Sequence, residues 1–216
     1  MDTDKNKNVL SIAASLLIAA LVISGLHPYD RATWLMEVMP VLIALPALAA
    51  SYRRFPLTGL LYALIFVHAL ILIGGGAYTY ARVPLGFWLQ DVLGTVRNPY
   101  DKIGHFAQGL VPALVAKEIL WRGAYVKTPG NSRSGRMIAF LAICIAMAIS
   151  AWYELIEWWA ALLMGQGADE FLGTQGDPWD TQSDMGMAFL GALVAMLLLA
   201  RWHDRQIAGM PPRRNR

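Results

Sequence analysis

Charged residues and cysteines are both scarce in this chain of 216 residues. Only 15% of the residues are charged, whereas 56% are apolar and the mean hydropathy is +0.44. Soluble domains usually carry about 25% charged residues, so this balance excludes an ordinary soluble domain. The single cysteine, Cys144, lies inside an apolar run. It therefore excludes a disulfide framework and any C-x-x-C metal or redox motif.

Long apolar runs take up most of the chain. Six runs of 17 to 28 residues can each cross a hydrocarbon core of about 30 Å as a helix. They cover residues 9–26, 34–50, 57–78, 103–121, 137–164 and 185–202. The first run is longer than a signal-peptide core, and no A-x-A cleavage site follows it, so we expect it to be retained. The sequence predicts an all-α polytopic membrane protein, with one domain over residues 1–216 and six transmembrane helices in one bundle.

The basic residues are distributed unequally between alternate loops. Thirteen of the 18 lysines and arginines lie at the N-terminus, in the second and fourth loops and in the tail. The other loops hold four: Arg31, Arg82, Arg97 and Lys102. By the positive-inside rule both termini are predicted to be cytoplasmic, which agrees with an even number of spans. This sidedness accounts for the net charge of +3, and no nucleic-acid partner is predicted.

Acidic residues show the opposite distribution. Eleven of the 15 fall in the outer loops or at the outer ends of the helices. Because Asp and Glu contribute little to membrane topology, the acidic outer surface needs another explanation. One of the outer loops, residues 79–102, is long enough for a helix lying on the membrane surface.

Polar residues follow one face of each of the last three spans, at spacings of three and four residues. The stripes comprise Asp101, His105 and Gln108; Ser150, Glu154 and Glu157; and Asp177, Asp180 and Asp184. Local roles explain some of them. Asp101 can cap its helix, Glu154 and Glu157 can reach water at the membrane boundary, and Asp177 before Pro178 suits a helix start.

The rise of 1.5 Å per helical residue places these stripes at nearly the same depth. Several negative charges in one shallow cavity repel one another unless some are protonated or a cation binds. The sequence therefore predicts a divalent-cation site at the outer face. Its predicted ligands are His105, Glu154, Asp180 and Asp184. Carboxylates with one imidazole suit Zn, Mn or Fe(II) better than Ca or Mg.

Other polar residues in the spans have less definite roles. Glu37, near the outer end of the second span, is predicted to join the cluster. His68 lies in the middle of the third span and is either a deeper functional group or a histidine hydrogen-bonded within the bundle. His203 is interpreted as a boundary residue. Glu118 lies near the inner surface, where a long side chain can reach water.

Three segments carry a family resemblance. DKIGHFAQGLVPALVAKE, ELIEWW and FLGTQGDPWDTQSDM together resemble the YjdF-like bacterial inner-membrane proteins, over about residues 30–205. The opening D-K-x-x-H-F is also similar to that of VanZ-like membrane proteins, which are linked to glycopeptide tolerance. These resemblances imply a multi-span protein of the bacterial inner membrane, and neither implies a catalytic residue.

Three functions fit the predicted site. The first is a metal-dependent hydrolase or transferase acting on a lipid or cell-envelope substrate, with Glu154 or Glu157 as general base and Asp101 orienting His105. The second is a cation or proton-coupled transporter. The third is a scaffold whose acidic loop holds a structural cation. A nucleophilic hydroxyl from Ser150, Thr174 or Thr181 is left open.

Overall fold

The computed structural model describes residues 3–126, 132–164 and 175–210. These residues form eight α-helices, and no strand occurs among them. The helices are α1 (Thr3–Leu26), α2 (Arg31–Ser51), α3 (Gly59–Tyr78), α4 (Pro84–Leu93), α5 (Tyr100–Arg122), α6 (Ser132–Met164), α7 (Asp180–Val194) and α8 (Ala200–Ala208). A 3-10 turn at Tyr80–Arg82 follows α3, and a π-helical turn at Ala195–Leu199 joins α7 to α8.

Five helical segments are long and apolar enough to cross a membrane. They are Asn6–Leu26, Arg31–Ser51, Gly59–Tyr78, Ser134–Leu163 and Asp180–Ala208. The fourth predicted run folds as part of α5, which is 23 residues long but carries charged groups at both of its ends. The chain is therefore a polytopic helical membrane protein with five apolar spans and one long, more polar helix.

The start of α2 follows directly from the local sequence. Asp30 precedes the helix, and its carboxylate accepts hydrogen bonds from the backbone N–H of Thr33, at 2.8 Å, and from the Thr33 hydroxyl, at 2.9 Å. The Thr33 N–H holds the pKa of Asp30 below its usual value, since it favours the charged form. This side-chain cap satisfies backbone donors that the first helical turn leaves free.

Small residues allow α5 and α7 to pack with their backbones in contact. A Cβ at Gly109 would lie 2.5 Å from the carbonyl carbon of Ala188, and a Cβ at Gly191 would collide with the carbonyl oxygen of Phe106. Ala188 and Ala192 are both fully buried at this contact. Close approach of this kind is how helices associate in membranes, where apolar side chains gain little by leaving lipid.

Two glycines leave room for the ring of a buried tyrosine. The Tyr80 ring lies between α3 and α5, where a Cβ at Gly75 would be 2.5 Å from its Cε2 atom and one at Gly104 would be 2.8 Å from its Cε1 atom. The ring also packs against Tyr100, with 5.7 Å between the ring centroids. Larger residues at either glycine would displace Tyr80.

The segment between α3 and α5 contains the short helix α4, as the sequence predicted for residues 79–102. Apolar residues of α4 are exposed, including Leu85, Phe87 and Trp88, as expected for a helix at a membrane surface. On its other face Gly86 meets the side chain of Asn98. The location of α4 at the membrane surface stays a prediction.

The helix start that Asp177 and Pro178 suggest before the last span is not seen at these residues. The helix α7 begins at Asp180, after Trp179. Asp177 instead accepts a hydrogen bond of 2.9 Å from the backbone N–H of Trp179, which closes a local turn. Asp177 therefore stabilises this local turn and not the first turn of α7.

Candidate functional site

A small polar cleft lies near one end of the bundle, at the N-terminal end of α5. Residues of α2, α3, α5, α6 and the 3-10 turn line it. The polar side chains facing it include Glu37, Tyr80, Asp101, His105, Tyr153 and Glu157. Distant parts of the sequence thus meet where the spacing of polar residues predicted a common depth.

His105 has contacts on both ring nitrogens. Its Nδ1 atom is 3.0 Å from Gln108 Oε1 and 3.7 Å from Glu154 Oε1. Its Nε2 atom is 3.4 Å from Asp101 Oδ1 and 3.9 Å from Asp184 Oδ1. An amide oxygen only accepts, so the hydrogen bond to Gln108 places a proton on Nδ1 and turns Nε2 toward two carboxylates.

Three of these side chains form a group with the spacing of metal ligands. Asp101, His105 and Asp184 each offer one ligand atom, and these atoms lie within 4.8 Å of one another. All three residues are buried. His105 and Asp184 were predicted as ligands, whereas Asp101 was predicted only to orient His105. Its oxygen lies as close to the group as the others do, because Asp101 and His105 are one helical turn apart.

Lys102 is the main residue that sequence reasoning missed. Its ammonium donates to Asp180 Oδ1 at 2.9 Å, to Asp184 Oδ1 at 2.6 Å and to Ser183 Oγ at 2.6 Å. Asp180, a predicted ligand, is therefore engaged by a lysine and stands apart from the group of three. The available signal was that Lys102 is one of few basic residues on the predicted outer side.

Arg97 adds a second positive charge at the same place. Its guanidinium pairs with Asp180 Oδ1 at 2.6 Å and with Asp177 Oδ2 at 3.0 Å. The predicted cluster is consequently less negative than its carboxylates alone suggested. Arg97 and Lys102 together balance much of the charge of the three aspartates before and within α7.

Glu154 lies beside His105 with one oxygen unsatisfied. Its Oε1 atom is buried and has no hydrogen-bond partner among the described residues, although the Thr181 hydroxyl hydrogen-bonds the same carboxylate. One turn away in α6, Ser150 is fully buried, and its hydroxyl has no partner in the described part of the chain either. Thr174, the other hydroxyl considered, lies outside the described residues.

Glu37 joins the cleft from α2, as predicted. The Tyr153 hydroxyl donates to Glu37 Oε2 at 2.8 Å, and the Tyr80 hydroxyl is a second hydrogen-bond partner. The Tyr153 ring meets the His105 ring edge-on, with 6.3 Å between centroids. The two tyrosines were also missed, since aromatic residues in apolar runs give no sign of which will face a polar cleft.

His68 lies apart from the residues that line the cleft. Its Nε2 atom is buried and has no hydrogen-bond partner among residues 3–126, 132–164 and 175–210. A role for His68 as a deeper cation or proton carrier stays a prediction.

The opposite end of α5 contains a second buried polar cluster. Glu118 accepts hydrogen bonds from the Thr58 hydroxyl at 2.9 Å, from His203 Nε2 at 2.9 Å and from Arg122 Nη1 at 2.5 Å. Glu118 and His203 are each 0% exposed. The interpretation of Glu118 as a snorkelling residue and of His203 as a boundary residue is therefore wrong. Hydrogen bonds from Thr58, His203 and Arg122 engage both carboxylate oxygens of Glu118, so the cluster links α3, α5 and α8.

A side-chain amide connects the loop before α5 to the segment before α7. The Gln175 side chain accepts from the backbone N–H of Asn98 at 3.1 Å and donates to the Asn98 carbonyl at 3.0 Å. Gln175 has φ of +47°, in the left-handed region that favours glycine. This pair of bonds keeps Arg97 and Lys102 next to the start of α7. The remainder of that loop, residues 165–174, lies outside the described part of the chain.

These features define a multi-pass helical membrane protein with a buried cluster of carboxylates and an imidazole near one end of its bundle. The chain belongs to the family described as "Predicted membrane protein (DUF2238)", whose model matches residues 9–205. It is 61% identical over 199 residues to the Inner membrane protein YjdF of Escherichia coli (strain K12), covering 92% of each chain. The YjdF-like resemblance is thereby confirmed, and a multi-pass protein of the inner membrane is supported. No solved structure matches the chain.

Proposed function

We propose that this protein is a metal-dependent hydrolase or transferase that acts on a lipid or cell-envelope substrate at the outer face of the inner membrane. The observation that carries the proposal is the grouping of Asp101, His105 and Asp184, whose ligand atoms lie within 4.8 Å of one another. Two carboxylates and one imidazole suit Zn, Mn or Fe(II) better than Ca or Mg.

The surroundings of His105 support a cation at this point. With its Nδ1 proton directed at Gln108, the Nε2 atom faces the oxygens of Asp101 and Asp184. An unprotonated nitrogen and two carboxylates present only lone pairs to one another. A proton on Nε2 or a metal ion between the three groups removes this repulsion, and the metal is the alternative that also gives the site a chemical activity.

Two glutamates near the proposed metal centre are candidates for the general base. Glu154 is the proposed general base, and its Oε1 atom has no hydrogen-bond partner among the described residues. Because it faces His105 Nδ1 and not Nε2, it lies outside the proposed group of ligands. Glu157 shares the cleft and is the alternative base. A divalent cation would polarise a phosphate or ester oxygen and lower the pKa of a bound water.

The proposal includes a topology of six spans with both termini in the cytoplasm. A helix of 23 residues extends about 34 Å, which is enough for α5 to cross the membrane with its charged groups inside the bundle. The excess of basic residues in alternate loops supports an outer location for the cleft. The exposed Trp152, Trp158 and Trp159 near that end of α6 fit an interfacial belt.

Metal analysis of purified protein tests the site. Wild-type protein should contain about one Zn, Mn or Fe ion per chain, and H105A and D184A should each lose most of it because a three-ligand site loses a ligand. D91N is a matched control, since Asp91 is an exposed acid on α4. Metal-free wild-type protein, or unchanged metal content in both variants, would rule out the proposed centre.

Activity is tested on vesicles of bacterial inner-membrane lipid containing the purified protein. Mass spectrometry should detect a cleaved or transferred head group that disappears with EDTA and returns with added metal. E154Q should retain metal more completely than D184A while losing turnover, because a general base is needed for the reaction and not for metal binding. Products that form equally with and without EDTA would contradict metal-dependent chemistry.

A structural role is the second candidate, and the ion pairs around α7 favour it. Lys102 and Arg97 bond Asp177, Asp180 and Asp184, so much of the acidic cluster is stabilised by the protein itself. In that case chelation would change neither the melting temperature nor any activity. A scaffold with a structural cation would instead show a lower melting temperature on chelation and no metal-dependent product.

A further inference from the structure

A long apolar groove of about 740 Å³ lies between α1 and α2. All of the side chains that line it are apolar or aromatic, and they include Ile18 and Val22 of α1 and Trp34, Leu42 and Ala49 of α2. Ile18, Val22 and Leu42 are exposed, although they belong to two of the apolar spans. Exposed apolar side chains of a membrane span face lipid, so the groove opens toward the bilayer.

The two helices that form the groove meet at one end of it. There the Trp34 ring lies against Gly25, where a Cβ would be 2.8 Å from Trp34 Cζ2, and the indole Nε1 donates to Ser24 Oγ at 3.0 Å. Leu17 and Leu21 of α1 are instead buried in one cluster with residues of α3. Because α1 packs on α3 as well, it does not close over α2, and the groove extends from the Trp34 contact toward the other end of both helices.

The dimensions of the groove indicate what can occupy it. Its lining residues run from Ala14 to Leu26 in α1 and from Trp34 to Ala49 in α2, about 18 Å and about 22 Å along the helices. A volume of about 740 Å³ over these lengths gives a mean cross-section of about 40 Å² or less. A helix with its side chains is at least about 10 Å across and needs about 80 Å². The groove therefore suits an extended hydrocarbon chain better than a transmembrane helix, and its length exceeds half of a hydrocarbon core of about 30 Å.

An arginine lies at the end of the groove where α2 begins. Arg31 is exposed and is the first residue of α2, and Ala49 follows it by 18 residues, which is five turns at 3.6 residues per turn. Arg31 therefore shares the face of α2 that lines the groove. Arg82 brings a second guanidinium to the same loop, 4.2 Å from the centre of the Tyr29 ring. Arginine is well suited to bind phosphate, so an apolar groove with arginine at its end matches the acyl chain and the phosphate of a phospholipid.

We propose that this groove is a phospholipid-binding site, with one acyl chain between α1 and α2 and the lipid phosphate at Arg31. The site is separate from the proposed metal centre and does not depend on it. It is nevertheless close to the polar cleft. A Cβ at Gly76 of α3 would lie 3.4 Å from Trp34 Cδ1 and 3.3 Å from Glu37 Cβ. A lipid held beside Trp34 is thus about one turn of α2 from a residue that lines the cleft.

Titration of delipidated full-length protein in detergent, followed by native mass spectrometry, tests the chain site. The probes are dioctanoyl, dilauroyl and dipalmitoyl phosphatidylglycerol, and wild-type affinity should rise with chain length. A49W should bind the dipalmitoyl lipid about tenfold more weakly, because the indole displaces several methylenes from the groove, and should bind the dioctanoyl lipid as the wild type does.

A50W is the matched control, since Ala50 is exposed but does not line the groove. It should bind each lipid as the wild type does. The chain site would be refuted if A49W bound all of the lipids like the wild type, lost all of them equally, or behaved like A50W. Retained binding of the dioctanoyl lipid shows that A49W is folded.

A second variant tests the phosphate contact. R31Q should bind dipalmitoyl phosphatidylglycerol about threefold more weakly, which is the size of one exposed ion pair, and should bind dipalmitoylglycerol, which has no phosphate, as the wild type does. R54Q is the control, because Arg54 is exposed beyond the other end of α2. Unchanged phosphatidylglycerol binding in R31Q would overturn the assignment of the phosphate. The same spectra report the oligomeric state, and a dimer that excludes the lipids and is lost in A49W would assign the groove to a second copy of the chain.

Discussion

Lys102 and the proposed metal centre share one oxygen atom. The Lys102 ammonium lies 2.6 Å from Asp184 Oδ1, the same atom that faces His105 Nε2 at 3.9 Å. A divalent cation bound by Asp184 is therefore repelled by the ammonium. We expect K102M to bind Zn about tenfold more tightly than wild type, which corresponds to about 1.4 kcal/mol.

Calorimetric titration of the metal-free protein measures this effect. K102R is the matched control, because it retains the charge and should bind Zn nearly as the wild type does. If K102M binds Zn more weakly, the lysine would be acting mainly to hold Asp184 in place, and the expected competition would be refuted.

His203 provides a residue-level test of the inner polar cluster. Replacing it with alanine removes the 2.9 Å hydrogen bond to Glu118 and leaves a carboxylate at a position with no solvent exposure. Removing one partner from a buried ionic group typically costs about 3 kcal/mol. We expect H203A to lower the free energy of unfolding by this order, measured by denaturant titration in detergent micelles.

The control for this measurement is H27A, because His27 is exposed in the loop between α1 and α2. Its stability should match the wild type. If H203A is equally stable, the Thr58 and Arg122 contacts would suffice for Glu118, and the cluster would not link α8 to the bundle.

The spacing of polar residues predicted that His105 and Asp184 lie close together, but it did not predict the side chains that surround them. His105 and Asp184 were placed together because helical periodicity and rise determine the face and depth of each residue. Lys102 and Tyr153 lie one position from these stripes, and their contacts depend on how neighbouring helices turn toward each other. Spacing within one helix contains no information about that rotation.

Among the helices, the contact between α5 and α7 determines the geometry of the site. Asp101 and His105 belong to one helix and Asp184 to the other, so the distance between the helices sets the spacing of the three groups. A Cβ at Gly191 would collide with the carbonyl oxygen of Phe106, which is backbone and cannot rotate away. We expect G191A to destabilise the protein by about 2 kcal/mol through overpacking and to reduce metal binding.

Thermal melting and metal content of G191A in detergent check this expectation. G186A is the matched control, since nothing lies within 4 Å of a Cβ at Gly186 and the added methyl favours the helix. It should melt at or above the wild-type temperature. Normal stability and metal content in G191A would mean that the helices can separate without loss of the site.

The apolar runs predicted the positions of the helices, but they did not predict the start of α7 or the polar composition of α5. The helix α7 begins at Asp180 and not directly after Asp177, because the Asp177 side chain accepts a hydrogen bond from the Trp179 N–H in a local turn. The helix α5 is more polar than a typical span because both ends carry groups bonded within the bundle, such as Lys102 and Glu118. Periodicity shows that these residues share a helix, whereas partners such as Thr58 and Asp180 lie 60 or more residues away from them.

For the whole molecule, orientation in the membrane decides whether the cleft can meet an extracytoplasmic substrate. The loop before α5 and the end of α8 lie at opposite ends of the proposed bundle, and the basic residues favour a cytoplasmic C-terminus. Val96 and Ala208 are exposed positions at these two ends. In intact cells of a C144A background, V96C should react with a membrane-impermeant maleimide, whereas A208C should react only after the membrane is opened. Labelling of both positions from the outside would require an odd number of spans and would remove α5 from the membrane. The reverse pattern would place the Asp101, His105 and Asp184 group on the cytoplasmic side, where the proposed envelope substrate is absent.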